Sequence, residues 1–340
     1  MSRLPIFLFL VAFGGACGGA DRKSTDTGAP ADVVADALLA TDTSPETGAP
    51  DVPANDDLPT AADASEEPWS MSEVELVASG YTGAEGPVWR GDHLLFSEPP
   101  GDTIYKLVEP DTVTVFLTPT NNINGLYSAI DGGLLACETG LRRVTHHSPT
   151  GEVTVLADEF EGKKLNKPND IVQRSDGTIY FTDPGYGFED VDLDLDFRGV
   201  FRIDPAGTLT AELRGPLSQK PNGIILSPDE ATLYIAVTTN RSILAADVAA
   251  DGSLSNIREF AATDRAPDGM TVDPYGRVYA ATVGKVEVFS PDGTPLSSLA
   301  LPADTTGPRN VTFGGSDGRT LYITGFEKLF RSRVTFGPTP

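Results

Sequence analysis

The sequence predicts an all-β chain folded as a six-bladed β-propeller, and three observations carry that prediction. One strand–turn–strand plan recurs six times at intervals of 39, 45, 53, 46 and 42 residues, the period and strand content of propeller blades. Long apolar patterns of helical period are absent, and Gly, Pro and aromatic residues are spread through many short strand-like runs. Finally, the last repeat is one strand short, while one strand-like segment stands alone before the first.

Taken in chain order, "MSRLPIFLFLVAFGGAC" (1–17) joins one Arg to an apolar run of about ten residues and then to small residues, the pattern of a signal peptide. The run is too short to span a bilayer, which takes about 20 residues. Gly15-Ala16-Cys17 is similar to a bacterial lipobox, with Gly14 where an aliphatic residue is usual. The expectation is an exported protein at the periplasm or cell surface, touching a membrane only through a lipid anchor at Cys17. Cleavage as an ordinary secretory signal is the alternative. Residues 18–70 hold twelve acidic against two basic residues and almost no aromatics, which predicts a disordered acidic tether. Residues 71–340 form the propeller. The segment "EVELVAS" (73–79) is the unpaired strand, expected to complete the sixth blade and close the ring.

The repeats open at Glu85, Asn124, Asn169, Asn222, Asp268 and Asn310. Each opening residue precedes a short apolar strand and a turn with Gly or Asp. A second strand follows, carrying Phe96, Leu135, Tyr180, Tyr234, Tyr279 or Tyr322. Equivalent repeat positions fall at equivalent places around the axis, so the six openings should ring one mouth of the channel. Asn and Asp are poor strand formers, and a turn-forming role explains any one of them. Several at one register, with two carboxylates, amide carbonyls and no His or Cys, point to a hard-oxygen site for calcium, magnesium or manganese.

At these residues the chain resembles the senescence marker protein/gluconolactonase (regucalcin-like) family, and within it the bacterial gluconolactonase branch. The resemblance runs over roughly residues 75–335 and rests on "NGLYSAIDGGLLACETGLRRVT", "VTVLADEFEGKKLNKPNDIVQRSDGTIYFTDPGYG", "PNGIILSPDEATLYIA" and "PDGMTVDPYGRVYAAT". It implies one divalent ion in the channel, calcium first, with zinc, manganese or magnesium as alternatives. It further implies Glu85, Asn222 and Asp268 as ligands, with Asn169 facing the ion or the substrate beside it. Asp268 would double as general base, and Asn124 and Asn310 would sit nearer the substrate. Two departures, Thr139 and Leu141 in "ETGLRRV" and Lys167 where some relatives have Arg, bear on substrate preference.

The function expected is metal-dependent opening of sugar lactones, the ion polarising the carbonyl and Asp268 taking a proton from water. Asn124, Lys167, Asp170, Arg142 and Asn310 are candidate substrate contacts, and Asp183 either lines the mouth or serves the turn before Pro184. Phosphoester hydrolysis at the same site, or a non-catalytic propeller stabilised by calcium, are the rivals. His93, His146 and His147 fall outside the ring positions, and Cys137 reads as a small buried hydrophobe. A net charge of −24 argues against a nucleic-acid partner. The partner expected is a small lactone, and the chain is expected to be a monomer.

Overall fold

The structure, a computed structural model, describes residues 68–338 except 217 and 306. The signal-peptide and lipid-anchor readings at 1–17, and the tether as far as residue 67, lie outside the described residues. Among the described residues each repeat forms one antiparallel sheet, four-stranded in the first five and five-stranded in the last, and a short two-stranded ladder pairs Glu159–Phe160 with Lys163–Lys164. Blade one runs Glu85–Trp89, Leu94–Glu98, Thr103–Val108 and Thr112–Leu117. Blades two to five repeat the meander, their innermost strands being Ile123–Ser128, Ile171–Gln173, Pro221–Leu226 and Pro267–Val272.

Blade six takes Pro308–Gly314, Thr320–Gly325 and Lys328–Thr335 from the C-terminal end. Its outer strand is Glu75–Ser79, paired antiparallel with Lys328–Thr335 through Glu75 opposite Arg331 and Ser79 opposite Lys328. The lone strand therefore closes the sixth blade as expected. Ser70–Met71 adds a further short pairing to the same strand. The boundary placed at residue 70 needs correcting. Trp69 is buried, its indole N–H donates to Tyr279 Oη at 2.8 Å, and the buried Arg277 guanidinium lies over its ring. An aromatic of that size finds cover only in the core, so Trp69 and Ser70 belong to the propeller.

Packing follows from the alternation of the second strands. Phe96, Leu135, Tyr180, Tyr234, Tyr279 and Tyr322 are all buried and help fill the seams between neighbouring blades. A buried apolar cluster occupies each of the six seams, including that between blades six and one, where Tyr81, Phe96, Tyr322 and Leu329 meet. Cys137 is among the buried residues of the seam between blades two and three, as the sequence suggested.

Candidate functional site

Five of the six innermost strands carry a register shift at their start: between Glu85 and Val88, Ile123 and Leu126, Pro221 and Ile224, Pro267 and Met270, and Pro308 and Asn310. The extra residue is a β-bulge, which kinks a strand and re-aims its side chains. In blade three the strand begins only at Ile171, and Asn169 stands just before it, its N–H donating to Thr182 O at 2.9 Å. The bulge was not foreseen from the sequence. Its signal was a Gly inside a strand pattern, in Glu85-Gly86, Asn124-Gly125, Asn222-Gly223 and Asp268-Gly269.

These glycines hold the ring together. A Cβ on Gly86 would lie 2.1 Å from Asn124 O, on Gly125 2.6 Å from Asn169 O, on Gly223 2.4 Å from Asp268 O, and on Gly269 1.9 Å from Asn310 Cγ. Each glycine thus meets the opening residue of the next blade. Hydrogen bonds tie the same circle: Ser97 Oγ donates to Asn124 O at 2.6 Å, Gly125 N to Asn169 O at 2.8 Å, and Thr182 Oγ1 to Asn222 O at 2.7 Å. The six opening residues are therefore neighbours in sequence order around the axis.

Glu85, Asn169, Asn222 and Asn310 are buried and Asn124 and Asp268 partly so, with two acids among the six. Burial pushes the Glu85 carboxyl well above the ordinary carboxylate range, and the nearby charges of Asp268 and Asp170 add to the rise. Burial also lifts Asp268 to about 6, against the pull of Arg309 and a hydrogen bond from Asn222. Arg309 Nη1 stands 3.5 Å from Asp268 Oδ2. The Thr238 hydroxyl donates to Pro267 O at 2.9 Å, so it can only accept from its other neighbours. Asn222 Nδ2 at 3.0 Å and the Tyr186 hydroxyl at 2.7 Å must both donate to it. That fixes the Asn222 amide and keeps its Oδ1 as an acceptor.

Asp170 lies inside the ring. Its Oδ1 accepts from Ile171 N at 3.0 Å and its Oδ2 from Ile224 N at 3.2 Å, and it is hydrogen-bonded to the Asn310 side chain across the channel. Burial raises its pKa to about 7 despite these donors. Asn310 Oδ1 also accepts from Val311 N at 2.8 Å. Lys167 and Arg142 come together over the Phe188 ring, at 5.2 and 5.3 Å from its centre, and Arg142 also donates to Leu165 O and Asp194. Asp183, left open between mouth and turn, is fully buried and accepts the N–H groups of Asn166 and Lys167. It serves the loop that presents Asn169.

Arg309, Tyr186 and Thr238 were not anticipated. Arg309 precedes the Asn310 opening and Tyr186 lies in "DPGYG", but only the fold brings them to Asp268 and Asn222. The histidines stay apart from the ring: His93 contacts Asp92, His146 contacts Asp131, and His147 contacts Thr145 and Glu138. A G-x-S-x-G string runs over Gly314–Gly318 and contains Ser316. However, it is exposed in a turn between two strands, where a serine nucleophile elbow leads into a helix. Among the described residues no three of His, Cys, Asp and Glu gather as a metal-binding group. The ring's donors are instead carboxylates mixed with amides.

Residues 83–327 match the family model described as the SMP-30/Gluconolactonase/LRE-like region. A gluconolactonase of Zymomonas mobilis subsp. mobilis is 32% identical over 296 residues, covering 78% of this chain and 82% of that relative. A solved gluconolactonase from Xanthomonas campestris superposes with a TM-score of 0.70 at 31% identity, covering 77% of this chain and 89% of the other. Regucalcin from Agrobacterium tumefaciens, described as a calcium-binding protein, shares the fold with a TM-score of 0.66 at 18% identity, over 80% of this chain and 97% of the other.

Proposed function

Because the chain belongs to the SMP-30/gluconolactonase/LRE-like family, we propose that it is a hydrolase of sugar lactones whose reaction takes place at the mouth ringed by Glu85, Asn222 and Asp268. The observation that carries this reading is the largely buried set of carboxylates and amides at the starts of the innermost strands, in a chain 32% identical to a gluconolactonase.

The donor set fits one hard divalent ion. Glu85 and Asp170 are buried, Asp268 is partly buried near them, and among the described residues the cation pairing with Asp268 is Arg309. Crowded carboxylates of this kind take up a proton or a cation, and a divalent ion can relieve more than one of them at once. Glu85, Asp268 and the Asn222 oxygen would hold it, with Asn169 beside them, and calcium is the ion this oxygen chemistry favours. When bound, such an ion supplies Lewis-acid polarisation of the lactone carbonyl.

In this reading Asp268 acts as the general base. It takes a proton from the attacking water as the new C–O bond forms, then returns it to the ring oxygen as the acyl C–O bond breaks. The product is the open hydroxy acid, and one water is consumed. Asn222 orients Asp268, and Thr238 and Tyr186 hold Asn222. The test is a pH-stat assay of glucono-1,5-lactone with chelated protein, then with calcium, zinc, manganese or magnesium restored. Metal-dependent acid release supports the reading. Turnover of a phosphoester panel alone would replace it with phosphoester hydrolysis, and turnover of neither class would leave a binding propeller.

A further inference from the structure

The residues just before the ring openings are basic in three blades: Lys167 two before Asn169, Lys220 two before Asn222, and Arg309 one before Asn310. In a chain of net charge −24 this is a local reversal of sign. All three are half-buried and each stands over an aromatic ring. Lys167 Nζ lies 5.2 Å from the centre of Phe188, Lys220 Nζ 5.7 Å from Tyr186, and Arg309 Cζ 5.0 Å from Phe326. Tyr186, under Lys220, sits in the electrostatic field of Asp268 and Glu85, and Arg309 itself lies 3.5 Å from Asp268, so Lys220 and Arg309 border the reaction site.

A ring face holds a cation in place by its quadrupole without using up the N–H donors. The neighbouring acids are committed to other cations: Asp190 to Arg198, Asp194 to Arg142, Asp264 to Lys285 and Asp304 to Lys328. Among the described residues Lys167 and Lys220 have no carboxylate ion-pair partner. A neutral lactone would meet these cations through its hydroxyl and carbonyl oxygens alone, whereas a carboxylate would meet them charge to charge. We propose that the substrate is an anionic lactone, one bearing a carboxylate on the part of the sugar that projects out of the mouth, with Lys220 and Arg309 receiving that carboxylate. This names the substrate class for the lactone hydrolysis inferred above and rests on it.

The experiment compares kcat/KM for glucono-1,5-lactone and for a glucaric acid monolactone, with calcium present. The expected selectivity favours the carboxylate-bearing lactone by about tenfold at low salt and shrinks as salt is raised toward about 1 M, where screening acts within about 3 Å. Lys220→Gln should cut that ratio several-fold, and Lys220→Gln with Arg309→Gln should bring it near unity. The ratio is the readout, because Arg309 also touches Asp268. Equal or lower kcat/KM for the charged lactone in the unaltered protein overturns the proposal, as does a ratio indifferent to Lys220→Gln. If neither lactone is hydrolysed, the lactone reading fails, and calorimetry with glucarate decides the charge proposal separately. Weakened glucarate binding in Lys220→Gln sustains it, whereas unchanged binding sinks it.

Discussion

A single methyl group added at Gly223 would stand 2.4 Å from the carbonyl oxygen of Asp268, and that oxygen cannot yield without moving the backbone of the next blade. Gly223→Ala should therefore cost about 1–3 kcal/mol, the usual range for overpacking, and should lower turnover because it shifts Asp268 itself. Urea unfolding and a lactone assay on the same preparation check both effects; an unchanged midpoint would mean that the blades separate easily here. The two acids of the site should answer differently to substitution. Asp268→Asn keeps an oxygen but loses the base, so turnover should fall about 10²-fold or more while calcium stays bound. Glu85→Gln should weaken calcium first, with part of the activity returning at excess ion. Calorimetric calcium titration beside kcat separates the two cases, and near-normal turnover in calcium-loaded Asp268→Asn would move the base elsewhere. The residue types at the ring were legible because Asn or Asp at a strand start contradicts local propensity at five of the six openings. Arg309, Tyr186 and Thr238 were not, since nothing in their own segments marks them.

At the scale of the element, blades one to three share a device. The last residue of each second strand is an acid, Glu98, Glu138 or Asp183, and it ties down the residue three places before the ring opening. Glu98 accepts from Thr82 N at 2.6 Å, Glu138 from Asn121 Nδ2 at 3.0 Å, and Asp183 from Asn166 N at 2.7 Å. Blade two shows its electrostatic cost and return. Burial raises the Glu138 carboxyl, but hydrogen bonds from His147, Arg143 and Thr145 outweigh it and hold the pKa at about 2, below the ordinary 4.5. A folded pKa below the unfolded one stabilises fully above pH 4.5, and that stability is lost as pH falls toward 2. Glu138→Gln should thus melt lower than the unaltered protein at pH 7, and the gap should narrow through the acid range. A gap that is constant from pH 7 to pH 3 would assign Glu138 to packing alone. The strands and their turns were readable from alternation and Gly-Asp signals. The bulges and the acid ties were not, because both depend on which strand lies alongside.

The whole molecule is a ring held shut by its two ends. Strand Glu75–Ser79 covers the edge of Lys328–Thr335, Arg331 Nη2 meets Glu75 Oε1 at 2.7 Å, and Arg277 donates to Gly337 O at 2.9 Å while stacking on Trp69. A chain beginning at Glu67 keeps this clasp and should melt like the full chain. One beginning at Gly80 exposes a strand edge and loses the Trp69 contact. It should melt lower by about 10 °C or more, the scale of several kcal/mol in a domain of this size, and should self-associate on size exclusion. Equal melting of the two would show that five blades and an open sixth are stable unaided. The sixfold period and the closing strand could be read from the sequence because both are patterns of spacing. The place of Trp69 could not, being one aromatic at the end of an acidic run. The clasp also sets a clock. Residue 75 is made early and residue 328 late, so at about 5–20 residues per second the first strand waits roughly 13–50 s for its partner to leave the ribosome. Throughout that interval the nascent chain is an unclosed array of blades, and a ribosome that stalls before Lys328 leaves an edge that only another molecule can cover.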